Sequence, residues 1–221
     1  EILNGNIIAT SRLLESILNE GKSSARLVFA SSAQTYSLVN CKTPIRETKT
    51  ANPDTVYGVS KQNAENLIKI SGIPYTILRL SNIYGPGCRP NYNSVVATLC
   101  SRAVRGLPLV INGDGRQGRD FIYVDDVVQA FTLAGFEFFP GSGKIFNVSS
   151  GRMVSIKQIV KLICKNYKNT KVEFLTNKNQ SETSYCCDPS RFSEKYGWRP
   201  QVSLSKGIEQ TLSYYRRKKK T

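Results

Sequence analysis

Three consecutive stretches decide the fold: Arg26-Leu-Val-Phe-Ala30, the segment from Val56 to Gly72, and Tyr75-Thr-Ile-Leu-Arg-Leu80. The first and third are short apolar runs of the buried-strand type, and the first ends in the polar string Ser31-Ser32-Ala33-Gln34-Thr35. Between them the pattern is helical. Asp54 or Thr55 can cap its start, Gly72 stops it, and Pro74 opens the next segment. Strand, helix and strand in this order predict a parallel sheet joined by a right-handed crossover.

Upstream, Ile7, Leu13, Leu14, Ile17 and Leu18 recur at helical spacing from Asn6 to Leu18, and Gly21 ends that helix. Downstream of Pro86-Gly87 the spacing predicts a helix from Ser94 to Arg105, a strand Leu107 to Ile111, a Gly-rich loop Gly113-Asp-Gly-Arg-Gln-Gly118 and a helix from Asp125 to Ala134. A strand Ile145 to Val148 follows. Ser155 and Gln158 form a capping box for a helix through Tyr167, then come a strand Val172 to Leu175 and a closing helix Leu204 to Tyr215. No internal repeat is present.

With 221 residues, 40% hydrophobic, the chain has apolar surface for one sizeable core with a lobe attached. Its apolar runs fall far short of the roughly 20 residues of a bilayer-spanning helix, so a soluble protein is expected. The formal charge of +15 suits an anionic ligand, but it is diffuse apart from Arg216-Arg217-Lys218-Lys219-Lys220. We read that run as the solvated end of the last helix first and as a polyanion-binding tail second. Six cysteines without a Cys-x-x-Cys pair, and no histidine, argue against a metal centre and rule out histidine-based nucleophile arrangements. The thiols read as reduced groups of a cytosolic protein. Glu1 opens the chain and Met153 is its only methionine, so the start is read as cut.

The chemistry concentrates in Tyr57-Gly58-Val59-Ser60-Lys61, where a phenol and an ammonium share one helix face. A nearby cation favours phenolate and lowers a tyrosine pKa that is otherwise about 10, which suits acid–base work. The pair alone also occurs by chance on exposed helices. Its context is Ser31-Ser32 upstream, with Arg79-Leu-Ser-Asn-Ile-Tyr-Gly-Pro86 and Arg119-Asp-Phe-Ile-Tyr-Val-Asp-Asp126 downstream.

These four segments, in this order, resemble the extended short-chain dehydrogenase/reductase family, specifically its NAD-dependent nucleotide-sugar epimerases and dehydratases. The likeness runs from Asn6 to the turn Gly197-Trp198-Arg199-Pro200. It implies a Rossmann-like doubly wound parallel α/β sheet with its N-terminal strands missing and a smaller C-terminal α/β substrate lobe. Residues 1–86 would be the C-terminal part of the NAD-binding domain, 87–215 mainly the substrate lobe with segments returning to the sheet, and 216–221 a basic tail. Ser32, ahead of Tyr36, with Tyr57 and Lys61, matches the catalytic group. The resemblance further implies cofactor contacts from Asn6, Tyr57, Lys61 and Ser81, and substrate contacts from Ser32, Asn82 and Arg119. Tyr57 would remove a sugar hydroxyl proton while NAD, or NADP, takes hydride, and Lys61 would depress the phenol's pKa. Arg119 would pair with a nucleotide diphosphate; its bland alternative is a surface pair with Asp120 or Asp126. The complete protein would be a cytoplasmic homodimer with a nucleotide-diphosphate sugar as its partner and no nucleic acid or membrane.

Departures from the pattern narrow the reading. A Gly-x-x-Gly-x-x-Gly pyrophosphate loop is missing, and Gly113 to Gly118 is no substitute because Arg119-Asp-Phe-Ile-Tyr, rather than a helix, follows it. Ala33-Gln34 stands where sugar 4,6-dehydratases carry Asp-Glu, which disfavours dehydration, and the late loop Asn177-Lys-Asn-Gln-Ser-Glu182 lacks the arginine common in relatives. A 4-epimerase-like enzyme is the first reading. A one-way reductase or dehydrogenase and a catalytically idle fragment are the alternatives, and nucleic-acid binding, resting on charge alone, is a weaker fourth.

Overall fold

A computed structural model describes residues 2–21, 25–39, 41–92, 94–136, 143–175 and 183–219. A π-helical turn, Asn4–Ile8, runs straight into α1 (Ala9–Asn19). Then come β1 (Leu27–Ser32), α2 (Val56–Ile70) and β2 (Tyr75–Leu80), the unit expected from the sequence, with Thr55 as the helix cap. β1 and β2 pair in parallel from Leu27 opposite Tyr75 to Ser32 opposite Leu80. β6 (Lys144–Val148) pairs in parallel on the other side of β2, giving the order β1-β2-β6.

Alternation along β2 sends successive side chains to opposite faces. Ile77 packs with Leu14, Ile68 and Ile73 beneath α1 and α2. Leu78 and Leu80, with Phe146 and Val148, pack against Val127, Ala130 and Ala134 of α4 (Val124–Phe136) and against Phe192 of α6 (Ser190–Tyr196) and Trp198. Helices therefore cover both faces of the parallel sheet, the doubly wound arrangement. Each such Ile or Leu, removed from water, contributes about 1.5–3 kcal/mol.

A third core lies among α3 (Val95–Val104), α5 (Ile156–Asn166) and α7 (Leu204–Lys218), where Leu99, Ile159, Ile163, Ile208 and Leu212 meet. Beside it are two small sheets. β3 (Asn82–Tyr84), β5 (Gly118–Tyr123) and β7 (Met153–Ser155) form one, with β3 parallel and β7 antiparallel to β5; β4 (Leu109–Asn112) pairs in parallel with β8 (Val172–Leu175) in the other.

Several boundaries differ from the sequence reading. β1 runs two residues further, to Ser32, because Ser31 and Ser32 stay in register with Arg79 and Leu80. Leu107 belongs to the end of α3 rather than to a strand. Its amide donates to the Arg102 carbonyl across Gly106, whose φ of +71° a side chain would resist, a helix-closing motif that takes an apolar residue at this place. The basic run is no separate tail over 216–218: α7 continues to Lys218, with Arg216 on the Tyr167 hydroxyl and Lys219 Nζ on the Val104 carbonyl. Cations at helix C-termini are favoured by the carbonyl dipoles, which draws the run into the helix. Residues 220–221 lie outside the described residues.

Candidate active site

Ser32 closes β1 and caps a short 3-10 turn, Ala33–Thr35, its Oγ accepting the Gln34 amide at 3.1 Å. The start of α2 is tied to the same turn. Thr55 Oγ1 accepts the Gly58 amide at 3.0 Å, and the Thr55 hydroxyl meets Gln34 Oε1 at 3.1 Å. A Cβ at position 58 would land on the Gln34 carbonyl oxygen and lie 2.7 Å from Pro53 Cβ. Glycine beside Tyr57 is what lets the first turn of α2 lie against the Ser32 turn. This brings the Ser32 side chain close enough to the Tyr57 phenol to lower its pKa.

Lys61, one helical turn on, donates from Nζ to the Ala30 carbonyl at 3.0 Å and sits 5.9 Å from the centre of the Tyr57 ring. Burial raises the Tyr57 pKa, with the Ser32 side chain opposing the shift and Tyr92 adding to it. Burial lowers that of Lys61. This corrects the expectation of a depressed phenol: desolvation outweighs the Ser32 side chain, and the Lys61 ammonium is directed at a backbone carbonyl. In this state Tyr57 is a neutral phenol with a proton to exchange.

The other expected residues are placed as follows. Asn6 donates from Nδ2 to Ser60 Oγ at 2.9 Å, fastening the π-helical turn beside Lys61. Ser81 is buried with its hydroxyl on Asp120 Oδ1 at 3.2 Å. Asn82 donates through Nδ2 to the Asp120 carbonyl at 3.0 Å and to Tyr185 Oη at 2.9 Å, which leaves Oδ1 as its accepting group. Arg119 donates to the Gly118 carbonyl at 3.0 Å, and its guanidinium carbon lies 5.7 Å from the centre of the Tyr185 ring. Burial lowers its pKa, against the pull of Tyr185.

The surface pair between Arg119 and Asp120 or Asp126 is not formed. The Asp120 carboxylate accepts from the Ser81 and Ser150 hydroxyls and from the amides of Ser150, Gly151 and Cys187. That of Asp126 accepts from the amides of Gln201 and Val202. Asn82 and Arg119 together line two cavities of about 290 and 460 Å³, the smaller also bounded by Gln34, Thr55 and Tyr185 and the larger by Val95, Asn112 and Gln117. A guanidinium without a carboxylate, at the join of two cavities, suits an anionic group of an elongated ligand.

Sequence reasoning missed Tyr185, Asp120, Asn147 and Glu65. Asp120 was visible only as a possible surface partner of Arg119, Asn147 only as a polar residue inside the apolar run Ile145 to Val148, and Tyr185 carried no motif. Buried Tyr36 donates to Asn147 Oδ1 at 2.9 Å, and burial, opposed by Arg79, pushes its pKa to about 12. The loop Asn177 to Glu182 lies outside the described residues.

A sequence profile of the NAD dependent epimerase/dehydratase family matches residues 1–149. The chain belongs to that family. Among solved structures, the UDP-glucose 4-epimerase of Thermotoga maritima with UDP-glucose superposes with a TM-score of 0.89 at 32% identity, over 98% of this chain and 71% of that one. The Bacillus cereus UDP-glucuronic acid 4-epimerase with UDP-glucuronic acid and NAD gives a TM-score of 0.85 at 28% identity, over 96% and 67%. The UDP-glucose 4-epimerase of Mycolicibacterium smegmatis is 30% identical over 96% of this chain and 69% of its own length. The chain thus spans about 70% of such relatives.

Family membership makes this an enzyme chain with NAD as cofactor and a Rossmann-like fold. The residues present fit the nicotinamide-ribose end of that cofactor. Tyr57, Ser32 and Lys61 gather at the carboxyl ends of parallel strands, where open α/β sheets take dinucleotides, and the Lys61 ammonium has donors to spare beyond its one backbone acceptor. The 221 residues contain no Gly-rich pyrophosphate loop. No helix among the described residues is long and apolar enough to cross a membrane.

Proposed function

We propose that the whole protein is a nucleotide-sugar 4-epimerase. The observation that carries this reading is the convergence of the Tyr57 phenol, the Ser32 hydroxyl and the Lys61 ammonium, with Gln34 and Thr55 of the same turn and helix start bounding the smaller of the two cavities that share Asn82 and Arg119. NAD, when bound, supplies a hydride acceptor that returns the hydride to the sugar. Tyr57 acts as the phenolate, a form that the Lys61 charge favours once the phenol has lost its proton to solvent; it takes the proton of the ring hydroxyl at its phenolic oxygen and gives the same proton back when the hydride returns. Ser32, whose lone pair already holds the Gln34 amide, directs its own proton to the reacting oxygen. Lys61 holds the ribose hydroxyls and supplies positive charge. Arg119 takes the diphosphate, and Asn82 Oδ1 accepts from a sugar hydroxyl.

Gln34 supplies an amide rather than a carboxylate next to this group, its Oε1 held by Thr55, which supports epimerisation over dehydration. In the same reading residues 1–86 serve the cofactor side and 87–215 mainly the sugar-nucleotide side, and the enzyme works in the cytoplasm as a homodimer. The exposed Leu13 and Leu18 of α1 and Val59 of α2 are available to a second copy.

Incubation of the whole protein with NAD and UDP-glucose, followed by proton NMR of the anomeric signals, tests the reading. The epimer should accumulate to equilibrium with no net change in NADH. Net consumption of NAD(P)H on a keto-sugar nucleotide would mark a reductase instead.

A further inference from the structure

We propose that the buried Glu65–Arg79 ion pair is a positioning element of the active site, fixing the turn that carries Ser32 against the helix that carries Tyr57 and Lys61. The inference rests on the reading of those three residues as the catalytic group. Glu65 follows Lys61 by one helical turn on α2, so the two share a face. Its side chain has no exposure, and that of Arg79 has 4%. Glu65 Oε1 accepts from Ser31 Oγ at 2.6 Å and Arg79 Nε at 2.9 Å, and Oε2 accepts from Arg79 Nη2 at 2.6 Å, with Lys69 Nζ 3.6 Å away.

Ser31 is the residue before Ser32. At the other end of the same turn, Tyr36 places its ring centre 4.6 Å from the Arg79 guanidinium carbon and its hydroxyl on Asn147. One ion pair therefore grips both ends of the turn, the leading end through its anion and the trailing end through its cation. The anion is rooted in α2 and the cation in β2. Stability alone gives little reason to keep such a pair, since well-packed apolar residues in place of a buried ion pair are often neutral or stabilising. A fixed relative height of Ser32 and Tyr57 is what the pair adds, because a small misplacement of reacting groups costs large factors in rate.

The test compares Glu65→Leu combined with Arg79→Met, which leaves no buried charge unpaired and only the part-exposed Lys69 without its partner, with the single change Ser31→Ala, which leaves the ion pair whole. In each, the titration midpoint of Tyr57 is followed by carbon-13 NMR of its ring, assigned by its loss in Tyr57→Phe, and kcat and KM are measured on the nucleotide sugar. Groups facing the phenol are Ser32 at the end of β1, Lys61 on α2 and Tyr92 after β3. In the folded double variant the midpoint should rise, because the Ser32 side chain beside the phenol is what holds it down. There kcat should fall about tenfold to a hundredfold with KM little changed. Ser31→Ala should move both in the same direction by less.

A folded double variant with the native midpoint overturns the proposal. Should the double variant fail to fold, an unmoved midpoint in Ser31→Ala overturns it equally. A raised midpoint with native kcat upholds the positioning role and sinks the catalytic reading of Tyr57 instead.

Discussion

At position 58 a single methyl group would meet the Gln34 carbonyl oxygen, so Gly58→Ala has to push α2 and the Ser32 turn apart. We expect a stability loss of about 1–3 kcal/mol in urea titration, the scale of core overpacking, and a larger loss of turnover as Tyr57 and Ser32 separate. Tyr57→Phe removes the proton-transfer group and leaves the ring in place. Its turnover should drop by about 10² to 10⁴, with sugar-nucleotide affinity within severalfold by calorimetry; full activity would refute the assignment. Tyr57, Lys61 and Ser32 were legible in the sequence because helix spacing and a strand end are local features. Glu65 and Arg79 were not, because a charge reads as solvent-facing until tertiary structure supplies its partner, 14 residues away here.

The start of α2 depends on Thr55, which serves both the Gly58 amide and Gln34. Thr55→Ala should cost about 0.5–2 kcal/mol in thermal or urea unfolding, the range of lost helix caps. Asp188 ties the segment before α6 to Arg46. Burial raises its pKa, but hydrogen bonds from Ser190 and the Arg46 guanidinium outweigh that and hold it below the usual carboxylate range. A depressed carboxylate adds stability above its unfolded pKa of about 3.9 and loses it as pH falls through the folded value. Asp188→Asn should therefore lower stability at neutral pH and flatten the acid limb of the melting curve. The strand-helix-strand unit and the capping box of α5 were readable because each signal sits within a few residues. β3, β5 and β7 were not: two are three residues long, and all are strands because of distant partners, such as Asn82 opposite Phe121.

Across the whole molecule, cations outnumber acids by 15, yet in the most basic segment Arg216 meets the Tyr167 hydroxyl and Lys219 the Val104 carbonyl at the end of α3. Titration of NAD into the 221-residue chain should give affinity far weaker than micromolar, since the nicotinamide side is present and a Gly-rich loop is not; micromolar binding would show the cofactor site misplaced. Asp120 links distant parts of this molecule, and the link extends to the clock of solvent exchange. Its buried carboxylate collects the amide hydrogens of Ser150, Gly151 and Cys187, which lie outside regular ladders and in open loops would swap for deuterium quickly. Held by one acceptor, those three amides can reach heavy water only when β5 lets go, so they should exchange together at the pace of that strand.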